Sequence, residues 1–539
     1  MRGSGRAPVR EAAVIVVVWL VSVLLWLTPG LTRPDGVGYF AYLPSTYFDR
    51  DLLFIDEWAQ MRLVRPEGLL FKDITETRHL SNHWTAGASL AWYPAFIAAD
   101  LLARATGEPA NGFSNPYITA AAFTSALCGL YVLLAAFALT RKYYGDRIAL
   151  AATIAIWFGS PLAFYSTRHA SMSHAISAAV CTGIVLLSLR LREEVTEVRV
   201  LAIGLAIGFA CAVRPQNITV ALIPLFIAPA VPILRRAHFL FAGALIAALP
   251  QLIVSQVLWG GPLVFVNIGG QAHSWQMFSR VRLVETLFSW YHGLVPWTPL
   301  LVLALAGLFF LAKRDKGLAL AGTATFVSQW LLLGILERWF WGGASFGQRR
   351  FDACTLFFVL GLAALIDRLP RWLSTLAIAA TTLWTMGLFI ASTQLNLNRF
   401  QLPSELYEAF LRGLSDPIWR SFLGFTPPEL HRGVLLTMLV ITVVSAALIV
   451  LARRLGAWCV AVVSIYFLAM SGFYAWCGLN PKYDPFSTDL ILRHERGELR
   501  SATARDLTGL LRDEAIYMDR VGRPEEASRA LQEAAAVRP

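Results

Sequence analysis

Apolar runs of about 20 residues recur along the chain, and they constrain its fold more than any other feature. Residues 12–28, 117–140 and 237–258 are examples. A helix needs about 20 apolar residues to cross the hydrocarbon core of a bilayer, whereas a membrane β-barrel shows short segments of alternating polarity. Hydrophobic residues make up 56% of the chain and charged residues 15%, against about 25% charged in soluble domains. The sequence therefore predicts an all-α polytopic membrane protein.

Basic residues between these runs predict the orientation of the chain. Arg2, Arg6 and Arg10 precede the first run, and no small-residue cleavage site follows it, so we expect an uncleaved first helix with a cytoplasmic N-terminus. If residues 90–105 lie in the membrane interface, every later basic loop falls on the cytoplasmic side. These loops are 141–147, 190–199, 235–236, 313–316, 368–371 and 453–454. We therefore expect 29–116 to be a long extracytoplasmic loop with interfacial amphipathic helices.

This topology gives about thirteen transmembrane helices within one domain, residues 1–477. The expected spans are 12–28, 117–140, 147–166, 174–192, 199–213, 218–234, 237–258, 290–312, 317–336, 351–367, 371–391, 431–452 and 456–477. Residues 478–539 would then be an extracytoplasmic helical tail, and 515–539 has the helix–turn–helix spacing of a tetratricopeptide repeat. One such unit cannot bury its own apolar face, so the tail either docks on the outer loops or binds a protein partner.

Charge and cysteine use exclude several functional classes. The net charge of +11 fits cytoplasmic basic loops and requires no nucleic acid. The six cysteines lie in apolar runs without a CxxC motif, so we expect neither a disulfide framework nor a zinc site. The expected helix interiors hold few ionisable groups, although a transporter usually places them at mid-membrane. This pattern disfavours a transporter or flippase of lipid-linked intermediates, although that function stays an alternative. A second alternative is a non-catalytic membrane scaffold that acts through the tail.

Polar motifs gather on the expected extracytoplasmic side. The candidate site residues are Asp35, His83, Arg168, His169, His174, Arg214, His292, Gln348, Arg349 and Arg350. A carboxylate can act as a general base on an acceptor hydroxyl, and arginine forks bind phosphate bidentately. Each residue type also has a structural use. Asp35 before Gly36 suits a turn, the arginines could pair with Asp352 or lipid headgroups, and Arg168, His169 and Arg214 could merely end helices.

Several strings resemble a known family of membrane enzymes. They are DGVGYFAYLPS (35–45), SNHWTAGASLAWYP (81–94), STRHASMSHA (166–175), VRPQN (213–217), FSWYHGLVPWTPLL (288–301) and WGGASFGQRRF (341–351). Over about 12–370 the chain resembles GT-C glycosyltransferases, specifically bacterial relatives of protein O-mannosyltransferases and lipid A aminoarabinose transferases.

The resemblance implies a GT-C-like bundle in a bacterial inner membrane and a polyprenyl-phosphate sugar as donor. The acceptor would be a glycan, lipid or protein, and the sequence leaves open whether a divalent metal takes part. Asp35 would be the general base, and Arg349 and Arg350, with Arg168 or Arg214, would hold the donor phosphate.

The chain departs from that family at three places. Asp35 is followed by Gly36 instead of a second acid, the paired prolines expected after it are missing beside His83, and Met172-Ser173-His174 stands where relatives often carry an acid. These departures leave three possibilities open. His169 or His174 replaces the missing carboxylate, the sugar chemistry differs, or the site binds its ligand without turnover.

Overall fold

The computed structural model shows an all-helical chain, as predicted. It describes residues 9–31, 33–54, 57, 75, 77–263, 281–336, 345–392, 403–415 and 432–482, with Ser528, Leu531, Gln532 and Ala535 of the tail. Within these residues no β-sheet forms, and seven helices are long and apolar enough to cross a membrane. These helices support a multi-pass membrane protein. The count of thirteen spans stays a prediction, and the repeat-like segment 515–539 lies almost entirely outside the described residues.

The helices are labelled α1 to α20 in chain order. The first ten are α1 (Val9–Trp26), α2 (Arg33–Pro44), α3 (Gly87–Thr106), α4 (Asn115–Tyr144), α5 (Asp146–Gly159), α6 (Leu162–Ser166), α7 (His174–Glu193), α8 (Glu197–Val213), α9 (Ile223–Ile227) and α10 (Ala230–Arg235). The others are α11 (Ala237–Trp259), α12 (Leu283–Phe288), α13 (Leu294–Trp297), α14 (Leu300–Leu311), α15 (Lys316–Leu336), α16 (Thr355–Arg368), α17 (Arg371–Ser392), α18 (Pro403–Ser415), α19 (Arg432–Leu455) and α20 (Trp458–Leu479). Short 3₁₀ segments, Pro215–Leu222 and Arg349–Cys354, precede α9 and α16.

Proline divides three of the expected spans into shorter helices. The run 218–234 breaks before Pro229, the run 147–166 breaks before Pro161, and Pro299 separates α13 from α14. Proline lacks the amide hydrogen of the helix ladder and disfavours helical geometry in the residue before it. The apolar pattern therefore located these segments correctly, but it did not indicate that each one is interrupted.

Short turns define two opposite faces of the helical bundle. Turns of one to four residues join α4 to α5, α7 to α8, α10 to α11, α14 to α15, α16 to α17 and α19 to α20. We call the face that these turns form the turn face and the opposite face the site face. The turns carry the basic residues that are predicted to lie in the cytoplasm. If that prediction holds, the site face is extracytoplasmic.

Helix α3, which covers the stretch 90–105, has both of its ends on the site face. At its start, the Thr85 hydroxyl donates to the Val213 carbonyl (2.8 Å) at the end of α8. Near its end, Asp100 accepts hydrogen bonds from Tyr117 (2.6 Å) at the start of α4 and from Tyr47 (2.9 Å). A helix whose two ends meet the same face lies along that face. The interfacial position of 90–105 stays a prediction.

A carboxylate on the turn face joins three long helices. Asp315 accepts two hydrogen bonds from the Arg192 guanidinium (2.6 and 3.1 Å), one from the Tyr143 hydroxyl (2.8 Å) and one from the backbone amide of Leu318 (3.0 Å). These groups belong to the ends of α7 and α4 and to the start of α15. The cluster fixes the spacing of these helices at the face opposite the candidate site.

Candidate active site

Two close contacts place Asp35 on the site face. It lies in the first turn of α2, where a side-chain carbon on Gly36 would come within 2.4 Å of the Ser171 hydroxyl. A side-chain carbon on Gly38 would lie 2.0 Å from the indole of Trp84. Only glycine permits such an approach of backbone to side chain. The glycines of the DGVG string therefore hold α2 between the loop before α7 and the loop before α3.

Hydrogen bonds fix the second of these loops. The Asn82 amide donates to the carbonyl of Gly38 (3.0 Å), and its own oxygen accepts from the Trp84 backbone amide (3.1 Å). The Tyr42 hydroxyl donates to the Trp84 carbonyl (2.7 Å). The string Asn82-His83-Trp84 thus supports the helix that carries Asp35.

Asp35 and Arg349 form an ion pair. Oδ2 of Asp35 accepts from Nη2 of Arg349 at 2.9 Å, although 314 positions separate the two residues. The arginine side chain is 9% exposed and the aspartate 19% exposed. Nη1 of Arg349 donates to the Met172 sulfur (3.1 Å), and the guanidinium lies 5.9 Å from the centre of the Tyr165 ring. The structure therefore brings together the proposed base and the proposed phosphate ligand.

A second carboxylate, Asp352, organises a neighbouring network. It accepts from Ser177 (3.1 Å), its Oδ2 lies 3.0 Å from Nδ1 of His174, and Nε of Arg214 is 3.6 Å away. The amide of Asn217 donates to the Ser177 hydroxyl (2.8 Å). One structural use considered from the sequence was an ion pair between Arg349 and Asp352. The structure instead pairs Arg349 with Asp35, and Asp352 with His174 and Arg214.

The guanidinium of Arg214 is surrounded by polar partners. Nη1 donates to Ser173 (3.1 Å) and lies 3.4 Å from Nε2 of His174, and Nη2 donates to Gln216 (3.3 Å). The Gln216 amide in turn donates to the carbonyl of Arg350 (3.1 Å). Arg214, which the sequence offered as a phosphate ligand, thus also ties α7 to the 3₁₀ segment before α16.

A cavity of about 20 Å³ adjoins both networks. This volume holds about one water molecule. The cavity is lined by polar groups from Tyr165, His174, Gln348, Arg349 and Asp352. The apolar part of its lining comes from Pro161, Leu162, Ala175, Leu301, Phe351 and Phe358.

The other candidates lie around these networks. Three histidine rings lie tilted against aromatic rings. The ring centres are 5.5 Å apart for His83 and Trp259, 4.5 Å for His169 and Phe164, and 4.4 Å for the buried His292 and Trp297. Arg168 is half-buried beside His169. Arg349 and Arg350 are close enough to His174 to act on it electrostatically, as are Arg214 and His169. The motif 271–275 and the glycines at 342 and 343 lie outside the described residues.

The sequence motifs did not point to a role for Ser177, Asn217 or Met172. Ser177 stands three positions after His174, so the two share one face of α7. Asn217 lies within the VRPQN string three positions after Arg214. Spacing could have suggested both residues. In the described part of the chain, no group of three His, Cys, Asp or Glu side chains is placed to hold a metal ion.

Comparisons with known proteins gave matches among solved structures only. No protein-family model and no curated protein matches the chain. It is similar to ArnT from Cupriavidus metallidurans bound to undecaprenyl phosphate, with 16% identity, 93% of this chain and 80% of that chain covered, and a TM-score of 0.43. For the apo state of the same protein the TM-score is 0.42.

A third solved structure is the Archaeoglobus fulgidus oligosaccharyltransferase in its apo form. The identity is again 16%, with 80% of this chain and 56% of that chain covered and a TM-score of 0.37.

Proposed function

We propose that the protein is a membrane glycosyltransferase that moves a sugar from a polyprenyl-phosphate donor to an acceptor on the extracytoplasmic side. The observation that carries the proposal is the ion pair between Asp35 and Arg349 on the site face. It puts a carboxylate, which can take a proton, next to a guanidinium, which can hold a phosphate.

The charge of the cluster supports an anionic ligand. The side chains of Arg214, Arg349 and Arg350 carry three positive charges, and those of Asp35 and Asp352 carry two negative charges. With a neutral histidine, these five groups sum to one positive charge. Guanidinium groups gathered at one site suit an anionic ligand such as a phosphate, because arginine binds phosphate bidentately.

The proposed reaction is a single displacement with inversion at the sugar. The acceptor oxygen or nitrogen attacks the anomeric carbon and loses its proton to Asp35. The bond between that carbon and the donor phosphate oxygen breaks, and its electron pair stays on the phosphate. Arg349 stabilises the charge that develops there. Because Asp35 contacts Arg349 at 2.9 Å, donor phosphate on Arg349 would weaken this ion pair and make the carboxylate available to the acceptor.

A transfer assay in proteoliposomes tests this function. Wild type is compared with Asp35→Asn on a panel of radiolabelled polyprenyl-phosphate sugars with cell-envelope acceptors. We expect the variant to lose transfer by about 10²- to 10⁴-fold, which is the usual contribution of a general base, while it keeps donor binding. Asp49→Asn in the same loop is the control and should retain transfer. Equal rates in wild type and Asp35→Asn would contradict the assignment of the base.

A further inference from the structure

Two described acceptors of the Arg349 guanidinium differ greatly in strength. Nη2 donates to the charged carboxylate of Asp35, whereas Nη1 donates to the sulfur of Met172 at 3.1 Å. A thioether is a weak acceptor, and a hydrogen bond between a guanidinium and an ionised oxygen is roughly twice as strong as a neutral one. The Met172 position is therefore one that a phosphate oxygen could occupy with a gain in binding free energy.

The Nη groups of Arg214 have no thioether among their partners. Ser173, His174 and Gln216 supply oxygen and nitrogen acceptors, and Asp352 supplies a carboxylate 3.6 Å from Nε. A ligand on the Nη groups of Arg214 would replace these acceptors. A ligand on Nη1 of Arg349 would replace a thioether.

A phosphate oxygen that takes the place of the sulfur on Nη1 of Arg349 requires the Met172 side chain to move. Met172 is buried. Its side chain is unbranched and has three rotatable bonds. Tyr165 and His174, which also border Arg349, are rings packed against each other with centres 4.3 Å apart. Methionine is the neighbour that can rearrange with the smallest change in the surrounding packing.

We propose that Met172 is a positioning residue that holds Arg349 in the empty site and is displaced by an oxygen of the donor phosphate. The inference rests on the proposed function, because the phosphate is that of the lipid-linked donor. It assigns phosphate binding to Arg349 and leaves Arg214, with Asp352, in the supporting frame.

Nuclear magnetic resonance of methionine methyl groups tests the displacement. The full chain, labelled with ¹³C at its methionine methyls and placed in lipid nanodiscs, receives undecaprenyl phosphate, undecaprenol or inorganic phosphate in separate samples. Met172→Leu assigns the signal. We expect undecaprenyl phosphate to shift the Met172 signal by more than its line width, while those of Met438 and Met470, in α19 and α20, stay in place.

Comparison of the three samples separates the effect of the phosphate from the effect of the polyprenyl chain. A shift with undecaprenyl phosphate alone supports a lipid-linked phosphate, and a shift with inorganic phosphate as well supports the phosphate chemistry without a requirement for lipid. An equal shift with undecaprenol would overturn the inference, because the polyprenyl chain and not the phosphate would be the cause. A signal that stays in place with undecaprenyl phosphate would overturn it too, whether or not the protein transfers sugar. A shift without any transfer would leave the inference standing and remove the proposed function.

Kinetics of a matched pair of variants give a second test. Met172→Leu keeps the volume and removes the weak acceptor, whereas Met172→Gln supplies an amide oxygen that competes with the phosphate for Arg349. We expect Met172→Gln to raise the donor KM about 10-fold with little change in kcat, as for the loss of one charge-assisted hydrogen bond. Met172→Leu leaves no acceptor to compete with the phosphate, so we expect its donor KM to lie well below that of Met172→Gln. Equal KM values for the two variants would argue against the displacement.

Discussion

Gly36 and Ser171 approach so closely that a single methyl group should disturb them. In Gly36→Ala the new carbon would lie 2.4 Å from the Ser171 hydroxyl and 3.1 Å from its Cβ. We expect a loss of about 1 kcal/mol in stability, and Ser171→Gly in the same chain should restore most of it. Thermal unfolding in detergent measures this effect. A double variant no more stable than Gly36→Ala would contradict the contact.

Two matched variants control for general effects of alanine. Gly183 in α7 has a single neighbour, the Tyr131 hydroxyl, 3.7 Å from where its side chain would be, so Gly183→Ala should not destabilise the protein. Gly38→Ala meets the Trp84 ring at 2.0 Å, so we expect a loss of about 1 to 3 kcal/mol that Ser171→Gly does not restore.

The sequence could suggest the residues of the site more easily than their pairing. Asp35, Arg349 and His174 were candidates because of their type and motif, and the structure brings their networks together. Asp352 was considered only as a possible partner of the arginines. Its actual partners, His174 and Arg214, come from α7 and the end of α8. That choice depends on how the helices pack, which local spacing does not encode.

At the scale of helices, the Asp315 cluster should stabilise the turn face. Burial alone raises the pKa of Asp315, but hydrogen bonds from Arg192, Leu318 and Tyr143 outweigh it and lower the pKa below its usual value. A lowered pKa contributes stability above the unfolded-state pKa and loses it as the pH falls through the folded-state value. We expect Asp315→Asn to cost about 1 to 2 kcal/mol at neutral pH, since Arg192 is partly screened by solvent.

The pH dependence gives the measurement. Thermal unfolding of wild type and Asp315→Asn is compared between pH 3 and 8, and the difference should be constant above about pH 5 and shrink below about pH 4. Glu193→Gln, whose partner Arg190 is exposed, is the control and should change little at any pH. A difference that grows on acidification would refute the role of the ionised carboxylate.

Helix ends were harder to predict than helix positions. Apolar length located the long helices such as α4 and α11, because burying or embedding some 20 apolar residues outweighs local preferences. The interruptions at Pro161, Pro229 and Pro299 depend on local backbone chemistry, which a run of apolar residues masks. A proline inside an apolar run was the available signal.

At the scale of the whole molecule, the orientation of the two faces is open to direct test. Thr106 ends α3 on the site face, and Glu194 lies in a turn of the turn face; both are exposed. In a cysteine-free background, Thr106→Cys should react with a membrane-impermeant maleimide on intact cells. Glu194→Cys should react only after the membrane is opened. The reverse pattern would place the candidate site in the cytoplasm and exclude the topology proposed from the basic loops.

The described ion pairs lie near the two faces, with the pair of Asp35 and Arg349 on one and that of Arg192 and Asp315 on the other. A transferase of the proposed kind, built in this way, would act from a single leaflet. A donor loaded on the opposite side would have to be turned over in the bilayer by another protein, and the spent carrier phosphate would have to be returned. Under the proposed function, transfer in a cell would then be limited by lipid traffic that this protein does not itself conduct.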